Sequence, residues 1–312
     1  MDKIRVAWID NLKFVAIILV VWGHNYGGLV YVRDFIYAFH MPLFFMISGY
    51  LFKTDLSYRV NLIKSFKTLL LPYFYLNLFL MPLYLWDIHK GSSSVLEYAI
   101  RFVSGDLYWF IMALFLMRIA SYPILKKKIY YILIFVIFLF LIVLWIDNST
   151  LNNLWIGEKI SRIIRFTPFF ILGYILKQTK LLQSIKHQYV WGIAASIVVA
   201  FVYFFCGSAE INRLHSVSDI LVFVIEGVLI SYCIYLIVYK LKAHKVVETI
   251  SNGTIMIYIL HFTVLRFSSK IPLPDSPYLK LFIPLFVSIL IVLLFYFPIR
   301  LTMRKMPWLL GK

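Results

Sequence analysis

Residues 129–146 read IYYILIFVIFLFLIVLWI, eighteen consecutive residues without a formal charge, with Lys126, Lys127 and Lys128 before them and Asp147 after. A run of this length and apolarity reads as a helix crossing the roughly 30 Å hydrocarbon core of a bilayer. In lipid each backbone polar group has to be satisfied within its own segment, which a helix does. Working outward from this run, further long apolar stretches lie at 14–32, 35–52, 68–86, 107–123, 163–177, 189–206, 217–239, 254–269 and 281–300. The expectation is an all-α integral membrane protein with about ten transmembrane helices.

Composition supports that reading. Apolar residues make up 62% of the 312 and charged residues 14%, against about 45–50% and about 25% in soluble domains. A soluble globular chain is therefore excluded. Ten helices of about 20 residues use roughly 200 positions, so no sizeable soluble domain fits. The chain reads as one multi-pass domain over 1–312, without repeat, low-complexity tract or linker, and no soluble carboxy-terminal domain is expected.

The net charge of +17 finds its explanation in topology rather than in nucleic acid. With the amino terminus inside and ten spans, the inner loops hold 21 of the 31 basic residues and only four acids, Asp2, Asp10, Asp55 and Glu248. The remaining ten bases and ten acids cancel, and the whole net charge falls on one face, as the positive-inside rule predicts. Both termini are thus expected on the cytoplasmic side of the cell's inner membrane. The first span is expected to be a retained signal anchor, because no A-x-A-like cleavage site follows it. Cys206 and Cys233 both lie in apolar runs and do not describe a disulfide framework. The Asn148-Ser149-Thr150 sequon carries little weight by itself.

Ionisable residues inside spans cost about 2.5 kcal/mol or more, so each is a candidate for function. His24 lies eleven residues after Lys13, roughly 16 Å along a helix. His40 follows Asp34 by six residues on the returning span, which brings the two histidines to similar depth. His261 enters the ninth span from the other side and reaches a comparable level. A neutral imidazole accepts a proton near neutral pH, which suits general-base chemistry, although a histidine bonded between helices is the bland alternative. No G-x-S-x-G or H-E-x-x-H motif indicates a serine nucleophile or a metal.

Asp10 and Lys13 stand three residues apart at the mouth of the first span, where Lys13 meets an anionic ligand arriving from inside. Arg162 and Arg165 lie one turn apart at the start of the sixth span; guanidinium forks bind oxyanions at two points, while snorkelling to headgroups is the ordinary role. Trp109 reads alone as an interfacial belt residue, and Ser48-Gly49 as a small-residue packing point. Glu226 is the costliest group in the eighth span and has no partner evident from sequence.

Two stretches carry a resemblance. Trp8-Ile9-Asp10-Asn11-Leu12-Lys13, followed by an apolar run to Val21-Trp22-Gly23-His24, resembles the opening of the membrane acyltransferase 3 family, whose signature is a basic residue, ten positions and a histidine. The run His40-Met41-Pro42-Leu43-Phe44-Phe45-Met46-Ile47-Ser48-Gly49-Tyr50-Leu51-Phe52 resembles that family's second-span motif in its fucose 4-O-acetyltransferase-like branch. Weaker matches are Tyr108-Trp109-Phe110, Pro168 through Tyr174, and Ser251 through His261. The family usually has arginine where this chain has Lys13, and lysine keeps the charge but not the fork.

The resemblance implies a membrane-bound O-acyltransferase, most simply an O-acetyltransferase. It would move an acyl group from cytosolic acetyl-CoA or another acyl-CoA to a sugar hydroxyl of an envelope polysaccharide, exopolysaccharide or lipid-linked glycan. It assigns His24 as the essential histidine, with Lys13 and Asp10 beside it in the catalytic set. His40, Ser48, Trp109, Arg162, Arg165 and His261 are expected along the substrate path, with no metal and no nucleic acid. The rival readings are a transporter or flippase for a polysaccharide or acylated precursor, whose route also uses mid-membrane charges, and a non-catalytic assembly partner.

The topology is testable by single-cysteine labelling in a background lacking Cys206 and Cys233. Lys127→Cys should react with a membrane-impermeant maleimide only in inside-out vesicles, and Lys90→Cys only in intact cells; the opposite pattern would invert the orientation.

Overall fold

The computed structural model describes residues 6–25, 29–91, 94–149, 154–184, 188–206, 214–268 and 274–312. Asp2, Lys3, Arg5, Thr150, Lys186, His187 and Pro272 lie outside the described residues. Every described element is helical, with no strand among them. The chain runs α1 (Ala7–Gly23), α2 (Val30–Leu51), α3 (Tyr58–Ser65), a π-helical turn (Phe66–Leu70), α4 (Leu71–Phe79), α5 (Met81–His89) and α6 (Val95–Ser104). It continues through α7 (Trp109–Leu125), α8 (Ile129–Asp147), α9 (Trp155–Gln178), α10 (Leu181–Ser184), α11 (Gln188–Cys206) and α12 (Val217–Val238). The last helices are α13 (Lys245–Asn252), α14 (Thr254–Ser268), α15 (Pro277–Leu294) and α16 (Tyr296–Lys305), before a closing 3₁₀ turn at Pro307–Leu310.

Among the described residues, five helical segments are long and apolar enough to cross a membrane: Val30–Leu51, Asp106–Leu125, Ile129–Asp147, Val217–Val238 and Pro277–Lys305. Two bent pairs bring the number to seven if each counts once. Tyr58–Phe79 meets Met81–His89 at 51°, and Lys245–Asn252 meets Thr254–Phe267 at 82°. The other expected spans are also helical but shorter or more polar. The first differs in its bounds: the helix starts at Ala7 and stops at Gly23, with His24 as its cap, and glycine is a poor helix former.

Local signals set several ends. Ser216 accepts from the Asp219 N–H while Asp219 accepts from the Ser216 N–H, a reciprocal cap that starts α12. Asn148 closes α8 by donating to the Leu144 carbonyl at 2.9 Å and reaches the His215 carbonyl at 3.0 Å. The break between α13 and α14 falls at Gly253, where a Cβ would lie 2.4 Å from Ile299 of α16.

The most extensive helix contact joins α2 to α9. A Cβ on Gly49 would sit 1.8 Å from the Phe170 carbonyl oxygen, and one on Gly173 2.0 Å from that of Met46. The two backbones therefore touch, as small residues allow between helices in lipid. Around this crossing Phe45 packs on Phe110 and Phe166, and Phe166 on Phe223.

Long-range hydrogen bonds sort the remaining elements into two ends. At one, Asn11 donates to the Leu241 carbonyl at 2.8 Å, Tyr122 to the Leu56 carbonyl at 2.7 Å, and Thr54 and Tyr174 hydroxyls meet at 2.8 Å. Lys53, Lys126, Lys177 and Lys242 belong to the segments gathered there, so this is the basic end. At the far end Asn25 donates to the Pro284 carbonyl at 3.1 Å and Arg266 pairs with Asp87.

Alanine at Gly173 has to push α9 off the α2 backbone, so overpacking should cost about 1–3 kcal/mol or more. At Gly192 the added methyl meets only the Leu236 side-chain tip at 2.4 Å, which can swing aside. Thermal unfolding in detergent should show a marked drop for Gly173→Ala and a much smaller one for Gly192→Ala; equal midpoints would contradict the contact.

Candidate functional site

The three intramembrane histidines meet where α1 ends. His24 caps α1 just past Gly23, whose lack of a side chain lets the Tyr37 ring approach; a Cβ there would fall 2.8 Å from Tyr37 Cε1. Tyr37 Oη lies 2.8 Å from His24 Nδ1, and the Tyr37 ring is 5.2 Å from that of His40, one turn along α2. From α14, the His261 ring lies 5.5 Å and the Phe262 ring 4.7 Å from the His24 ring. Side chains of α2 and α14 thus surround His24 at the end of α1.

Hydrogen bonding distinguishes the three imidazoles. His40 Nδ1 donates to the Ile36 carbonyl at 2.8 Å. His261 Nδ1 donates to the Tyr258 and Ile257 carbonyls at 2.8 and 3.1 Å. A carbonyl oxygen only accepts, so both rings are held with hydrogen on Nδ1 and a lone pair on Nε2 when neutral. The His261 Nε2 atom is buried with no hydrogen-bond partner. His24 differs: its Nδ1 faces a phenol, which donates or accepts, so its tautomer is free to change as a proton arrives or leaves.

A cavity of ≈ 280 Å³ opens toward the basic end and is lined by Lys13, Ser48, Thr68, Arg118, Ser251 and Tyr258, among others. Asp10 accepts from Ser251 at 2.6 Å and is itself buried, so it fastens one wall of this cavity to α1. Tyr258 joins the cavity to the histidines, with its ring 6.1 Å from that of His261 and 5.9 Å from that of Tyr108. On the other side of α2 a larger apolar cavity of ≈ 820 Å³ is lined by residues including Trp8, Tyr50, Leu172, Trp191 and Tyr235. Ile47 contributes to both.

The remaining expected site residues fall on the α8–α9 side. The Arg162 guanidinium lies 5.4 Å from the centre of the Trp109 ring and pairs with Glu158; it is also within electrostatic reach of Tyr258. Arg165 is fully buried and pairs with Asp147 at 2.8 Å, while Asp147 accepts from Ser161 and from the Leu214 N–H. The structure thus brings His24, His40 and His261 together and places Lys13 and Ser48 in one cavity. It sets Trp109 and Arg162 beside each other and turns Arg165 into a helix-to-helix pair. Glu226 is buried in α12, electrostatically linked to Tyr203.

Sequence reading gave no site role to Tyr37, Tyr258, Phe262 or Arg118, although Tyr258 stands within the Ser251-to-His261 match. Tyr37 stands three residues before His40, on the same helical face, and Arg118 is an arginine within an apolar run, so both carried a signal. Among the described residues no three His, Cys, Asp or Glu side chains converge to hold a metal ion.

With this arrangement in place, the comparison is specific. Residues 6–303 match the acyltransferase domain that defines the acyltransferase 3 family, and the chain belongs to that family. No curated protein and no solved structure matches it. The apolar helices and the family together make it a multi-pass membrane protein.

Removing one partner of a buried ion pair leaves an uncompensated charge, at a cost of about 3–5 kcal/mol. Asp147→Ala should therefore unfold far more readily in detergent than Glu158→Ala, whose partner Arg162 is partly exposed. Similar stability of the two variants would refute the structural role of the Arg165–Asp147 pair.

Proposed function

We propose that the protein is an O-acyltransferase, in its simplest form an O-acetyltransferase, with acetyl-CoA as donor and a sugar hydroxyl of an envelope glycan or lipid-linked precursor as acceptor. In this reading all ten apolar stretches lie in the cell membrane, with the basic end on the cytoplasmic side. The donor enters the cavity beside Lys13, and the acceptor approaches His24 from the far end. His24 takes the proton of the acceptor hydroxyl as its oxygen attacks the thioester carbonyl. The C–S bond then breaks, and the departing thiolate receives the proton.

The observation that carries the reading is the position of His24, enclosed by Tyr37, Phe262 and His261, with Tyr258 linking that cluster to a basic cavity. General-base catalysis needs a neutral imidazole whose protonation state can change, and of the three clustered histidines His24 is the one whose Nδ1 faces a phenol rather than a backbone carbonyl. The grouping of basic segments at one end supports the orientation.

His24→Ala should lower transfer by about 10²–10⁴-fold with stability preserved. This is read as consumption of acetyl-CoA by purified protein, and as the O-acetyl content of surface glycans, by mass spectrometry, in a deletion strain complemented at matched protein levels. Equal acetylation with wild type and His24→Ala would remove His24 from the chemistry. No acetyl-CoA consumption by wild type with its glycan present would favour transport.

A further inference from the structure

Arg118 presents a physical problem that the proposed reaction does not by itself explain. It sits on α7, seven residues before the helix ends at Leu125, so roughly 10 Å along the helix from the basic end. A guanidinium carries five N–H donors. Among the described residues the one hydrogen bond of this group runs from an Nη to the Thr68 hydroxyl at a long 3.4 Å, and its Nε is buried with no partner. No acid pairs with it there. A snorkelling arginine keeps its head group in water, whereas this one faces the wall of the ≈ 280 Å³ cavity. Charges placed this way inside a membrane protein line ligand paths.

The rest of the lining has the same sign. Lys13 and Lys312 are the other charged residues of the cavity, and no carboxylate side chain is among its lining residues. Thr68, Ser48, Ser251 and Asn252 add neutral polar groups, and the first turn of α14 supplies Thr254. Lys312 is already bonded to the Asn252 side-chain oxygen, which fixes it against this wall. Three cations from α1, α7 and the carboxy-terminal turn thus surround a space the size of a small polar ligand.

We infer that this cavity is a phosphate oxyanion site in which Arg118, flanked by Lys13 and Lys312, grips the diphosphate of the acyl donor. The assignment of the anion to a donor rests on the acyltransferase reading; the anion site itself rests on Arg118. The arrangement also accounts for Lys13. A lysine binds phosphate as a point charge without a fork, and α7 supplies the fork from the opposite wall. With the phosphates held here, the thioester arm is directed past Tyr258 toward His261 and His24.

The test measures binding of coenzyme A, pantetheine and inorganic pyrophosphate to the purified full chain by calorimetry, in neutral phosphatidylcholine nanodiscs. Arg118→Gln should weaken coenzyme A and pyrophosphate binding by roughly ten- to hundredfold and leave pantetheine unchanged. Arg118→Lys should restore part of the affinity, since charge returns without the fork. Lys127→Gln, the same charge loss in the α7–α8 loop, should bind as wild type. In turnover, Arg118→Gln should raise the KM for acetyl-CoA by a similar factor with kcat within a fewfold.

Unchanged coenzyme A binding in Arg118→Gln overturns the site, even if transfer proceeds normally. A site that instead takes an anionic headgroup would show thermal stabilisation by phosphatidylglycerol nanodiscs that is lost in Arg118→Gln while coenzyme A binding stays intact, and that result also overturns the donor assignment. Arg118-dependent binding of coenzyme A without any acyl transfer leaves the anion site standing and sinks the proposed function.

Discussion

The structure turns on a contact between two backbones. Gly49 on α2 and Gly173 on α9 leave no room for a methyl group, and each glycine lies against a carbonyl of the other helix. In lipid, apolar side chains gain little by leaving one hydrocarbon for another, so close approach and packing hold helices together. This crossing fixes α2, and α2 carries Tyr37, His40 and Ser48 on faces that α1, α14 and the basic cavity use. Loosening it would move the wall shared by both cavities at Ile47.

Polar groups divide between structural duty and exposure to open space. Asp147 binds Arg165, Ser161 and a backbone N–H, and Asn11 spends its amide on α12's end. These bonds tie helices to one another, and buried polar contacts of this kind help to specify one arrangement of helices. His261 Nε2 and Arg118 Nε make no such bond. Both belong to the stretch that runs from the basic cavity through Tyr258 to His24, while other buried polar atoms without a hydrogen-bond partner, at Ser121, Gln188 and Tyr232, lie elsewhere.

Much of the fold could be read from the chain because hydropathy reports on the solvent, and among the described residues the apolar stretches are mostly helical, five to seven of them long and apolar enough to cross a membrane. Bends were less legible. The 82° turn at Gly253 depends on Ile299, far along the chain, and single-sequence periodicity carries nothing about such a neighbour. The histidine cluster was visible as similar depth on neighbouring spans, since helical rise converts spacing to height. The partner of Arg165 was not, because Asp147 closes the preceding helix and reads as an ordinary loop acid. Arg118 could have been costed like any intramembrane arginine but was counted with the inner loops instead.

α1 packs against α12, α13, α14 and α15, and Asp10 and Asn11 bond to Ser251 and Leu241. Those partners are encoded more than two hundred residues after α1. At ribosomal speeds of about 5–20 residues per second, α1 waits roughly ten to forty-five seconds for them. During that interval Ser251 and the Leu241 carbonyl are not yet made, so these two long-range bonds form late in biogenesis. Of the described helices, the earliest in the chain is among the last to gain all its neighbours.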